Sequence, residues 1–79
     1  MTSPRAVTIR PREYLDATEH LTPAQQAVLF RLLCHQWVTG LHETDVKELA
    51  RLANTTPQHI GQSKKKLEPL LERDWTVPA

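Results

Sequence analysis

The chain has 79 residues, about half a typical domain, so it holds one compact unit at most and multi-domain enzyme architectures are excluded. Ten Lys and Arg against nine Asp and Glu leave a net charge of +1, which excludes a histone-like polycation or an acidic tail; any basic function has to be local. A composition 39% hydrophobic and 24% charged is enough to fold but lean for so short a chain.

Residues 1–9 predict a flexible arm or one edge strand, from the β-branched run Val7, Thr8, Ile9. Pro11 is placed as a first-turn proline, and Tyr14, Leu15 and Thr18 fall near one face, which predicts a short helix over 11–19. Thr22 reads as an N-cap, Pro23 as the first helical residue and Gln25 as the third position of a capping box. A long helix therefore runs from Pro23 to a stop near Gly40. Its apolar residues Ala27, Phe30, Leu33, Cys34, Trp37 and Val38 sit at helical spacing, widened by Val28, Leu29 and Leu32, with Arg31, His35 and Thr39 at the wet edge. Such a helix is expected at the centre of the fold.

After a loop over 41–43, Thr44 is expected to cap a third helix over 45–53, with Val46, Leu49, Ala50 and Ala53 inward and Asp45 at the positive end of its dipole. Asn54 stands where a left-handed residue is needed, and Thr55, Thr56 and Pro57 open a fourth helix toward Leu71, with Ile60, Leu67 and Leu71 inward. Pro69 predicts a bend or an end close to Glu68. Trp75, Thr76 and Val77 read as an extended tail. The division is an arm over 1–9, a helical domain over 10–73 and a tail over 74–79.

The segment VKELARLANTTPQHIGQSKKKL has the spacing of a helix-turn-helix. Ala50 permits close helix contact, Asn54 tolerates positive φ in place of glycine, and Ile60 plugs the second helix into the core. Ser63 stands where an apolar residue is commoner, which weakens the inner seam. The expected fold is all-α: a tri-helical helix-turn-helix core preceded by a short extra helix. At most a two-stranded ribbon of residues 7–9 and 75–77 would accompany it.

The charged residues from Leu49 to Leu67 are Arg51, Lys64, Lys65 and Lys66, with no acid among them. Thr56, Gln58, His59 and Gln62 fall toward the N-terminal end of the second helix, where a recognition helix meets base edges, and glutamine can pair bidentately with adenine. Arg51, Lys64, Lys65 and Lys66 would hold phosphates. A run of three lysines equally suits a plain solvated face.

Other chemistry finds less support. Cys34, His35 and His42 lack the paired spacing of zinc ligands, so no metal and no cofactor is expected. Cys34 lies on the apolar stripe and reads as a small buried hydrophobe rather than a nucleophile, so no enzyme is expected. His20 and His59, near helix ends, read as surface residues, and Phe30 and Trp37 as core. Trp75 is expected to cover an edge of the core. With one cysteine, no apolar stretch near the ~18 residues of a membrane span and no signal-peptide core in MTSPRAVTIR, the chain reads as a reduced, cytoplasmic protein with no membrane partner.

Tyr14, Leu15, Thr18 and Leu21, then Phe30, Arg31, Leu32, Leu33 and Trp37, then Leu41, Asp45, Leu49 and Ala50 form a further pattern. By these residues the sequence resembles the N-terminal, winged-helix-like domain of phage and prophage replication-associated proteins, over roughly residues 14–72. The resemblance implies a DNA-binding role in phage replication or its control, in a bacterial cytoplasm, together with phage or host replication proteins. It carries over no catalytic residue. Family members continue into an apolar strand and a glycine-containing hairpin where this chain has DWTVPA, so the wing is expected to be absent or reduced to one strand.

Two functional classes stay open: a module for double-stranded DNA, and a phage-encoded protein-interaction module or inhibitor that binds a host protein through the same fold. A homodimer formed through the central helix or Trp75 is compatible with either.

Overall fold

The computed structural model describes residues 8–40 and 44–77. Four α-helices follow in chain order: α1 (Pro11–Thr18), α2 (Pro23–Thr39), α3 (Val46–Ala53) and α4 (Pro57–Glu72). The remaining pairing among the described residues is one antiparallel bridge, Ile9 with Thr76. None of these helices is long and apolar enough to cross a membrane.

Local chemistry sets the helix ends. Thr22 Oγ accepts from the Gln25 backbone N–H at 3.1 Å while the Thr22 N–H donates to Gln25 Oε1 at 3.0 Å, a complete capping box ahead of Pro23. Gly40, at φ 74°, ends α2 with its N–H on the Gln36 carbonyl. The expected cap of α3 moves by one residue: Asp45, not Thr44, is the N-cap, and its carboxylate accepts from the Lys47 N–H at 3.0 Å. A carboxylate there satisfies an orphan N–H and meets the positive end of the dipole at once.

The core gathers Leu21, then Val28, Leu29, Leu32 and Leu33 of α2, Leu49, Ala50 and Ala53 of α3, Ile60, Leu67 and Leu70 of α4, and Trp75. α2 packs against both α3 and α4, as a central helix should. Its buried side is nevertheless rotated from the expected stripe. Val28, Leu29, Leu32 and Leu33 face inward, whereas Ala27, Phe30 and Val38 are exposed and Cys34 and Trp37 half-buried. The helix is apolar on both sides, so periodicity alone left its phase undetermined.

Of the two outcomes expected of Pro69, an end close to Glu68 is not what occurs: the helix continues through Pro69 to Glu72. Pro69 and Lys65 are both exposed, so the carbonyl deprived of its proline donor lies on the side that water reaches. Leu71 packs against the core half-buried, and Leu70 beside it is the more deeply buried leucine of the last turns.

The tail belongs to the core. Trp75 is 0% exposed, its Nε1 donates to the Leu70 carbonyl at 2.7 Å, and the Tyr14 ring meets it edge-on at 5.2 Å. Arg10 N–H donates to the Trp75 carbonyl and Val77 N–H to the Thr8 carbonyl, so the two ends of the described chain clasp across the Ile9–Thr76 bridge. Val7 and residues 41–43, parts of the expected ribbon and loop, lie outside the described residues.

Candidate nucleic-acid interface

Residues 54–56 carry the chain from α3 into α4. Asn54 adopts the left-handed conformation (φ 58°, ψ 46°), its N–H donating to the Arg51 carbonyl at 3.2 Å, and Thr55 N–H donates to the Ala50 carbonyl at 2.9 Å. This is a Schellman closure with asparagine in the usual place of glycine. Thr56 then caps α4, its Oγ accepting from the His59 N–H at 3.2 Å, and Pro57 begins the helix.

On α4, Ile60, Ser63, Leu67 and Leu70 face inward. The opposite side carries Gln58, Gly61, Gln62 and Lys65, all exposed and spaced by three and four residues, so they form one row. Gln58 and Gln62 make no side-chain hydrogen bond among the described residues. Nothing lies within 4 Å of a Cβ built on Gly61.

The three lysines do not form one patch. Consecutive helical residues diverge by about 100°, so Lys64, Lys65 and Lys66 fan across roughly 200° of the helix. Lys64, half-buried, turns toward Glu68, with Nζ 3.6 Å from Oε1. Lys65 lies in the outward row and Lys66 beside it, both exposed and without an ion pair among the described residues.

Arg51 is likewise engaged. Its Nε donates to Glu48 Oε1 at 3.0 Å and a second guanidinium nitrogen reaches the same oxygen. This hydrogen bond, opposed by desolvation and aided by the Arg51 charge, holds the Glu48 carboxyl below its usual range, and the same contact raises Arg51. Reading charge only over residues 49–67 missed both acids, which stand one residue outside that window. The helical spacings i, i+3 for Glu48–Arg51 and i, i+4 for Lys64–Glu68 were the available signal.

His59 is half-buried, and its Nε2 is enclosed without a hydrogen-bond partner among the described residues. It leans into a shallow depression beside Ala24, Ala27 and Ala53, which withdraws it from the outward row. Ser63 is 1% exposed, and Gln25 Nε2 donates to its Oγ at 3.4 Å. The expected weak seam is thus a polar link between α4 and the start of α2. A groove of about 100 Å³ lies among Leu32, Leu49, Ile60, Lys64 and Leu67, smaller than the open depression of about 360 Å³ beside His59. No group of three or more His, Cys, Asp or Glu among the described residues is placed to hold a metal ion; His42 lies outside those residues.

No family model, curated protein or solved structure matches the chain.

Proposed function

We propose that the chain is a small DNA-binding module in which α3, its turn and α4 act as a helix-turn-helix, α4 entering the major groove of a duplex by its outward side. The observation that carries this is the row Gln58, Gly61, Gln62, Lys65, exposed, free of acids and uncommitted to contacts within the chain. Glutamine amides offer the paired donor and acceptor that adenine matches, and Lys65 with Lys66 supplies unpaired charge for phosphates. Thr56 stands at the head of the helix as its cap, with its hydroxyl proton still free to donate. Arg51 and Lys64 take a smaller part, because each must first leave a carboxylate. The resemblance to the N-terminal domain of phage and prophage replication proteins supports a setting in phage replication or its regulation, in a bacterial cytoplasm.

A second reading draws on the two ion pairs. With Glu48 and Glu68 offsetting Arg51 and Lys64, the basic side chains of residues 49–67 left without an ion pair are Lys65 and Lys66, in a chain of net charge +1. That suits a module which binds a phage or host protein as an adaptor or inhibitor.

Fluorescence anisotropy with a labelled duplex, titrated with salt, separates the two. DNA binding is expected at micromolar levels in low salt, falling steeply as salt rises. Lys65→Ala with Lys66→Ala should flatten the salt slope by about two units, one per phosphate contact, with a smaller change for Arg51→Ala. A folded wild-type chain that ignores duplex at low salt would replace the DNA reading with the protein-partner one.

A further inference from the structure

The outward row of α4 carries two primary amides with nothing inside the chain to bond to. Gln58 and Gln62 stand four positions apart, both exposed, and neither makes a side-chain hydrogen bond among the described residues. A rise of about 1.5 Å per residue sets them about 6 Å apart along the helix, close to two base-pair steps of a duplex at about 3.4 Å each. Between them Gly61 offers no side chain, and nothing lies within 4 Å of the place its Cβ would take. The helix backbone can therefore sit close to the floor of a groove, which keeps both amides within reach of base edges.

We propose that Gln58 and Gln62 each read an adenine, so that the module distinguishes duplex with free adenine N6-amino groups from duplex methylated at that nitrogen. This rests on the reading of α4 as the helix that enters the major groove. A glutamine amide accepts from the adenine N6–H with its oxygen and donates to N7 with its nitrogen, and this paired contact is how glutamine selects adenine. The row suits the other bases less well. Cytosine presents a donor that a carboxylate would accept, and residues 57–66 contain no Asp or Glu. Guanine presents two acceptors, met best by Arg or Lys, but Arg51 is held by Glu48 and Lys64 by Glu68. Lys65 stands at the far end of the row, seven positions from Gln58.

Methylation removes the one hydrogen that this contact uses. In a Watson–Crick pair one N6 hydrogen bonds to thymine O4, and the other points into the major groove, toward the glutamine oxygen. A methyl group on N6 takes the groove position, because pairing holds the first. The glutamine oxygen then loses its donor and faces a methyl group, an acceptor stripped of water and left unpaired. The lysine contacts to phosphates are untouched, so what falls is discrimination among bases and not the salt-dependent part of binding.

The test is fluorescence anisotropy of the full chain at fixed low salt with three labelled duplexes of about 20 base pairs. One has a mixed A·T sequence, the second is the same duplex with every adenine methylated at N6, and the third holds G·C pairs alone. The wild type is expected to hold the unmethylated A·T duplex at least about tenfold more tightly than either of the others. Gln58→Ala with Gln62→Ala, both at exposed positions, should keep its helical circular dichroism and bind all three alike. That loss assigns the methyl effect to the amides rather than to a change in the duplex. Equal wild-type affinity for the three duplexes, a preference that survives methylation, or one that survives the double substitution would each overturn the proposal while leaving α4 a DNA-binding helix. Failure to bind any duplex would overturn the DNA reading itself, and this proposal with it.

Discussion

Gly61 sits in the middle of α4 where glycine costs about 1 kcal/mol relative to alanine, and no contact within the chain requires it. Gly61→Ala should raise Tm by roughly 4–8 °C in a domain of this size, read by thermal melting. The same methyl group would stand in the row proposed to meet DNA, so duplex affinity should fall as stability rises. Trp75 behaves oppositely. Trp75→Ala removes a ring that is fully buried, hydrogen-bonded to Leu70 and capped by Tyr14, a loss of about 3–5 kcal/mol that should leave little native helical signal at 25 °C. Asp74 gives the acid limb of stability: hydrogen bonds from the Thr76 hydroxyl and then its N–H hold the Asp74 carboxyl below its usual range. A depressed folded pKa stabilises the fold above the unfolded value of about 3.9, and that contribution is lost as pH falls through the folded value. Tm measured against pH should therefore decline below about pH 4, and Asp74→Asn should make the decline shallower. At this scale the sequence exposed the outward Gln58, Gln62 and Lys65 but hid His59. Whether a helix-end imidazole points to water or folds back depends on Ala24, Ala27 and Ala53, which come from two other helices.

Among the elements, the turn between α3 and α4 was the most legible, because its signals are local. A small polar residue able to hold φ 58°, then threonine, then proline, specify a stop and a start within four residues. Asn54→Gly should be near neutral, whereas Asn54→Ala should cost about 1–2 kcal/mol, the left-handed penalty, in a urea melt. The phase of α2 was not legible for a physical reason. With Leu29 and Leu33 on one side and Phe30, Cys34 and Val38 on the other, two buried faces fit the same string, and only the shape of the surrounding helices chooses. Pro69 belongs to the same lesson. An exposed proline late in a helix removes a bond on the wet side, so α4 continues past the place where Pro69 allowed an end.

For the molecule as a whole, a small core is closed by its two ends. Arg73 lies 4.6 Å over the Trp75 ring and pairs with Glu13 at 3.2 Å, so the tail, α1 and residues 8–10 hold one another in place. Among the described residues, the outward row of α4 stays open to a partner. Backbone amide shifts, recorded by NMR as unlabelled duplex is added at low salt, test the assignment of that row most directly. The largest changes should gather on Gln58, Gly61, Gln62, Lys65 and Lys66. No change with excess duplex, or changes gathered on Phe30, Cys34 and Val38 instead, would contradict a role for α4 in binding DNA.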